Sequence, residues 1–216
     1  MIRTRVWTVV VLVVLAGGAS SLERPASAAP GVVPVAPEVV IRKTIEEAFD
    51  VLRNKTLAGK EKRGERIAEL RRIADRTFDW GEMAKSSLGV HWRGLEADRR
   101  TRFTEVFKSI LAAQYMDDID RFQGTETITI DGTKVEVDGA LVRSTLVTAS
   151  RDRVPLDYRM RLIQGEWRVV DLSIEGVSLV NHFRKTFSSA LANISIDELI
   201  ERLKRQLPQA LKPSGT

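Results

Sequence analysis

The sequence predicts an α+β domain: an antiparallel, twisted meander of about five strands, packed by helices that come before it and after it in the chain. Three observations carry this. Apolar residues recur at helical spacing from residue 38 to about residue 118. Apolar and polar residues then alternate from about residue 127 to residue 173, between closely spaced glycine-containing turns. Helical spacing returns at Ser178 and holds until Pro208.

The N-terminus comes first. Arg3 and Arg5 precede an apolar run from Val6 to Ala16, and Ala26-Ser27-Ala28 follows. This is the three-part layout of a secretory signal peptide. The run is shorter than the roughly 18–20 residues that cross a membrane, so cleavage is expected over the competing reading of an uncleaved anchor. Residues 1–28 are expected to leave, with 29–37, which hold Pro30, Pro34 and Pro37, as a flexible lead-in. Residues 38–208 then form one domain and 209–216 a tail. The chain has no cysteine, which is compatible with export at this size. Its formal charge of +5 falls to about +3 without the signal. Outside the cytoplasm that balance points to an acidic lipid surface or an acidic protein before nucleic acid.

Helices are expected over about Glu38–Arg53, with Val39, Ile45, Phe49 and Leu52 near one face, and over about Lys60–Phe78, with Ile67, Leu70 and Ile73 as its stripe. Asp79-Trp80-Gly81-Glu82 matches a capping box, flanked by Phe78 and Met83 as a hydrophobic staple, and Gly89 is the stop. A long helix over about Glu96–Asp118 places Phe103, Phe107, Ile110, Leu111 and Tyr115 on one broad face, with Asp98 and Arg102 as a supporting pair.

Asp131-Gly132 and Asp138-Gly139 read as two hairpin turns, flanked by strands at Thr127–Ile130, Lys134–Val137 and Ala140–Ala149. Arg151-Asp152 and Gln164-Gly165 mark two more turns, around Val154–Ile163 and Glu166–Ser173. In the strand at Val154, the residues Val154, Leu156, Tyr158, Met160 and Leu162 share a face opposite Pro155, Asp157, Arg159 and Arg161. The strand at Ala140 does not sort into faces. A helix from Ser178 carries Val180, Phe183, Phe187 and Leu191 on one side. Ser195-Ile196-Asp197-Glu198 opens the last helix with a second capping box.

Little in the chain suggests catalysis. His91 and His182 have no cysteine, serine motif or paired histidine at useful spacing. Asp117, Asp118 and Asp120 cluster at a helix end without the spacing of a calcium loop. No catalytic residue, metal or cofactor is expected. Arg71, Arg72, Arg99, Arg100, Arg102 and Lys108 fall mostly opposite the apolar stripes, where they are solvated or serve docking.

FDWGEMAKSSLGVHWRGL, RFTEVFKSILAAQY, VPLDYRM, GEWRVVDLSIEGVSLVNHFRKTF and DELIERL follow one another over about Glu38–Leu207. Together they resemble the MlaC family, the soluble periplasmic lipid carriers of an ABC-linked lipid-asymmetry pathway, also called toluene-tolerance periplasmic proteins. Phe183 stands where the family often has Tyr, and Glu96 where Ser or Thr is common. The resemblance implies a twisted sheet and helices around a deep apolar pocket that holds phospholipid acyl tails, with the head group near solvent. It also implies a periplasmic shuttle between an outer-membrane lipoprotein complex and an inner-membrane ABC transporter complex; the sequence does not fix the oligomeric state, and a monomer is the default expectation. One branch of the family is associated with hopanoid, so another amphiphile is the alternative cargo. The pocket wall is expected from Phe103, Phe107, Ile110, Leu111 and Tyr115 on the long helix, from Leu156, Tyr158, Met160 and Leu162 on the strand, and from Val177, Val180, Phe183 and Phe187 after it.

Physical chemistry constrains such a carrier. Two tails with about 30 methylenes would lose roughly 20–25 kcal/mol of burial in water. A rigid empty cavity of roughly 800–1,000 Å³ would cost on the order of 20 kcal/mol, against a domain stability of about 5–15 kcal/mol. The protein is therefore expected to keep its lipid or to collapse when stripped. A hydrolase-like enzyme on the same scaffold would need a polar group of shifted pKa inside the pocket. A protein-binding, chaperone-like module would show a filled core and an exposed apolar patch.

Overall fold

The computed structural model describes residues 35–208 and 211, with the backbone alone over residues 115–120. The expected signal peptide, most of the lead-in and most of the tail lie outside the described residues. So do the side chains of Tyr115, Asp117, Asp118 and Asp120.

Among the described residues, six α-helices and five strands follow in order: α1 Pro37–Arg53, α2 Arg63–Thr77, α3 Trp80–Leu88, α4 Ala97–Arg121, β1 Thr127–Glu136, β2 Gly139–Val147, β3 Arg153–Ile163, β4 Glu166–Ile174, β5 Val177–Ser178, α5 Leu179–Leu191 and α6 Ile196–Gln206. The sheet runs β1-β2-β3-β4-β5 with every neighbouring pair antiparallel. The fold is α+β, as the change of apolar period predicts.

Helix starts follow the local chemistry. Pro37 opens α1 at a position whose N–H has no helical partner in any case. The Asp79 carboxylate accepts from the Glu82 N–H, and the Ser195 hydroxyl accepts from the Glu198 N–H, both as predicted. The first box is half closed. The Asp79 N–H donates instead to the Val169 carbonyl, stitching the start of α3 to β4. Gly89 ends α3 at φ 57°, in the left-handed region that glycine enters without strain.

The strands differ from expectation at Asp131-Gly132. No hairpin forms there. One strand, β1, runs through, and a bulge between Ile130 and Gly132 absorbs the extra residue. The Asp131 carboxylate accepts from the Thr145 hydroxyl on β2 at 2.6 Å and from the Thr129 hydroxyl at 3.3 Å. Those bonds hold the acid on the sheet and do not require a turn. The real two-residue turns are Val137-Asp138, Gln164-Gly165 and Glu175-Gly176. Gln164 and Gly165 both take positive φ, 52° and 84°, as the mirror-image hairpin turn requires.

Register settles the faces of β2. Val142 pairs with Tyr158, Ser144 with Leu156 and Leu146 with Val154. Directly paired residues share a face, so the even-numbered side chains of β2 point inward with those of β3. One connected apolar core runs from there to the helices. α1 lies on β1 and β2, while α2, α3 and α5 lie on β4; α4 packs against α3 and α6. Val39, expected on the buried stripe of α1, is 46% exposed. Pro37, Ile41, Thr44, Ile45, Ala48 and Phe49 are the side chains that α1 buries.

Candidate functional site

The inner face of the sheet and the facing helices form the candidate site. Phe103, Phe107 and Leu111 project from α4 and are fully buried, one and two turns apart. Val180, Phe183 and Phe187 project from α5 and are buried as well. The four phenylalanine rings meet one another. Phe103 meets Phe187 edge to face at 5.5 Å, Phe107 meets Phe183 edge to face at 5.4 Å, and Phe183 and Phe187 lie 5.4 Å apart. Leu156, Tyr158 and Met160 of β3 are buried in the same core, and Ile110 is partly buried against it.

Two expected wall residues are not in this interior. Leu162 is 46% exposed and Val177 is 44% exposed. Leu162 has the right parity, but it stands near the β3–β4 turn, where Arg161 is also exposed and Ile163 only half-buried. Val177 lies in the two-residue strand β5, just past the turn at Gly176. The pattern of β3 names a face; it does not say how far along the strand that face is covered.

Sequence reasoning missed Val106, Ala112, Val142, Leu146, Leu172 and Ile174 as members of the same interior, all at most 1% exposed; Val154, placed on the apolar face of its strand, is buried there too. Val106 was legible three residues after Phe103, on the same helix face. The β2 members were not, since both alternating sets of that strand mix apolar and polar residues.

The interior also carries hydroxyls. Ser144 and Tyr158 are both buried on the inner face. Burial pushes the Tyr158 phenol up to about 12, and a hydrogen bond with the Ser144 side chain only partly offsets this. Both histidines are exposed, His91 after α3 and His182 on α5. Among the described residues, no group of three or more histidines, cysteines or carboxylates is placed to hold a metal ion. Among the same residues, no helix is long and apolar enough to cross a membrane.

Lys108, expected on a solvated face, is buried at the contact of α2 and α4. Its ammonium lies 3.2 Å from Asp75 and 3.6 Å from Glu105. Asp75 also accepts from the indole N–H of Trp80 at 2.8 Å. Burial pulls the nearby Arg71 guanidinium below its usual range, while Asp75 and Glu105 oppose that shift. Lys108, Asp75 and Glu105 form a charged wall beside the core residue Trp80. It borders a recess of about 570 Å³ that Phe78, Thr104, Gln164 and Arg168 also line. A second recess of about 550 Å³ lies between α1 and the β3–β4 turn, against Val39 and Trp167.

Comparison with known proteins agrees with this architecture. The family model described as MlaC protein matches residues 42–205. The chain is 27% identical over 124 residues to the toluene tolerance protein Ttg2D of Pseudomonas putida; the match covers 56% of this chain and 57% of that protein. The fold superposes with a TM-score of 0.70 on a phospholipid-binding protein of Ralstonia solanacearum solved in complex with a phospholipid. That match has 18% identity and covers 79% of this chain and 96% of the other.

Proposed function

Because the chain belongs to the MlaC family, we propose that it is a periplasmic lipid carrier that encloses phospholipid acyl tails and does no chemistry on them. It moves lipid between an outer-membrane lipoprotein complex and an inner-membrane ABC transporter complex. The observation that carries this reading is the connected apolar interior shared by β2, β3, β4, α4 and α5. Its apolar chemistry suits hydrocarbon, since each methylene taken out of water contributes about 0.8 kcal/mol. The fold shared with a protein solved with phospholipid supports the same reading.

Enclosure requires the rings to part. Phe103, Phe107, Phe183 and Phe187 fill the space between α4 and α5, so tails enter by turning these side chains aside and replacing ring contacts with methylene contacts of similar value. The wall of the loaded form is Phe103, Phe107, Ile110, Leu111, Leu156, Tyr158, Met160, Val180, Phe183 and Phe187. The working protein is a monomer that begins after Ala28, once the signal peptide is removed.

Organic extraction of the purified protein followed by mass spectrometry tests this. Stoichiometric phospholipid is expected. Hopanoid in its place would change the cargo and keep the carrier. Protein that releases no lipid, and whose melting temperature is the same before and after solvent stripping, would overturn the reading.

A further inference from the structure

The sheet has two edges, and the fold closes one of them. On the β4 side, β5 pairs with Ser173 and Ile174, Phe78 bridges to Val169, and the Val169 carbonyl accepts from the Asp79 N–H. The other edge is β1. Among the described residues, nothing pairs with its outer side. Every residue from Asp131 to Asp138 is exposed, Val135 by 63% and Val137 fully. A long open edge is a template for pairing with another chain.

The hairpin fixes which backbone groups that edge offers. Glu136 and Gly139 flank the two-residue turn Val137-Asp138. Such a turn closes on a hydrogen-bonded pair, and bonded pairs alternate with non-bonded ones along an antiparallel ladder. Glu136 and Lys134 therefore turn their backbone groups toward β2, while Val135 and Thr133 turn theirs outward. Side chains alternate above and below the sheet. Lys134 shares a face with Leu141 and Arg159, and Val135 shares the opposite face with Ala140 and Met160. The Lys134 ammonium lies 2.8 Å from the Glu136 carboxylate, so a cation and an anion stand side by side on one face of the edge strand.

We propose that β1 pairs with β1 of a second copy of this chain, antiparallel about Val135, to give a reversible dimer. Two identical antiparallel strands are related by a two-fold axis. With the axis at Val135, its outward N–H and C=O meet those of the second copy's Val135, and Thr133 lies opposite the second copy's Val137. Lys134 then stands opposite the second copy's Glu136, and Glu136 opposite its Lys134. An axis at Lys134 sets lysine against lysine, and one at Thr133 runs into the bulge at Gly132. Charge and hydrogen-bond parity thus select one register, and it covers the exposed Val135 and Val137. Thr133–Val137 on each side is far less than the roughly 20–30 residues a side of a stable interface, so the dilute protein stays a monomer and the dimer forms as concentration rises. Assembly stops at two, because the β4 edge is closed. This inference goes beyond the carrier reading and does not depend on it.

Sedimentation equilibrium of the full chain as purified, over a rising concentration series, tests this, with melting temperature as the check on folding. Wild type is expected to pass reversibly from monomer to dimer. Val135→Pro removes an N–H that β2 does not use, and is expected to stay monomeric. Lys134→Glu sets acid against acid in both cross-strand pairs, and Glu136→Lys sets base against base. Each is expected to weaken the dimer roughly tenfold. Mixed in equal amounts, the two charge variants complement each other and are expected to associate as tightly as wild type. Only contact between copies through this strand produces that rescue, so the charge variants decide even if the proline variant does not fold. A wild type that stays monomeric up to about 1 mM overturns the proposal. So do charge variants that dimerise as wild type does, a mixture no tighter than its components, or growth into species larger than a dimer.

Discussion

The ammonium of Lys108 lies 3.2 Å from the carboxylate of Asp75, one on α4 and the other on α2, with the lysine side chain only 7% exposed. A buried cation is tolerated because this partner compensates its lost hydration, and removing either member has unequal consequences. Asp75→Ala leaves Lys108 buried beside Glu105 alone and strips the Trp80 indole of its acceptor. Asp75 itself is partly exposed, so the expected loss is moderate, about 2 kcal/mol. Lys108→Met keeps the volume and removes the buried charge, and is expected to cost less. Urea unfolding of both variants checks the order; a Lys108→Met protein less stable than Asp75→Ala refutes it.

Phe107 meets the other three rings of the cluster, Phe103, Phe183 and Phe187. Phe107→Ala is expected to lower unfolding free energy by about 3–5 kcal/mol. Phe107→Trp adds volume to a filled space and is expected to cost about 1–3 kcal/mol. In a carrier the two differ in cargo: the alanine variant retains lipid and the tryptophan variant yields less on extraction. Equal lipid content in both would separate this cluster from the lipid site.

Gly139 begins β2 directly against the backbone carbonyl of Met160, where a Cβ would collide. Gly132, at the bulge of β1, has open space around its missing side chain. Gly139→Ala is therefore expected to destabilise by about 1–3 kcal/mol, and Gly132→Ala by no more than about 1 kcal/mol. Thermal denaturation of the pair distinguishes close approach from a general intolerance of the sheet to substitution.

The phenol of Tyr158 titrates at about 12 in the folded chain against an ordinary value of 10.0. The folded state thus holds its proton more tightly than the unfolded state. Stability from this group is fully present below pH 10, falls as pH rises through the window to about 12, and amounts to roughly 2–3 kcal/mol. Wild type is expected to lose more stability over that window than Tyr158→Phe. The near-ultraviolet phenolate signal, taken as the difference between the two proteins, should appear near pH 12 or with unfolding. A signal complete at pH 10 in folded protein would contradict the burial.

Much of the architecture was readable before any coordinates. The order of elements, both capping residues, the Asp98–Arg102 pair at 2.9 Å and the inward face of β3 up to Met160 follow from the sequence. Each depends on residues close together in the chain, whose geometry is set by the helix or strand itself. The candidate site was legible in part. Phe103, Phe107, Phe183 and Phe187 were named from helical spacing, but nothing in that spacing says that the rings meet.

By itself the sequence determined that this is a helix-sheet-helix domain with amphipathic elements, because apolar period, turn residues and caps are local properties. Tertiary structure alone decided which way β2 faces, that Asp131-Gly132 is a bulge, that Lys108 is inside, and that Val39, Leu162 and Val177 are outside. The physical reason is that burial belongs to a pair of surfaces. A side chain is removed from water only by what lies across from it, and its partners here come from residues distant in the chain.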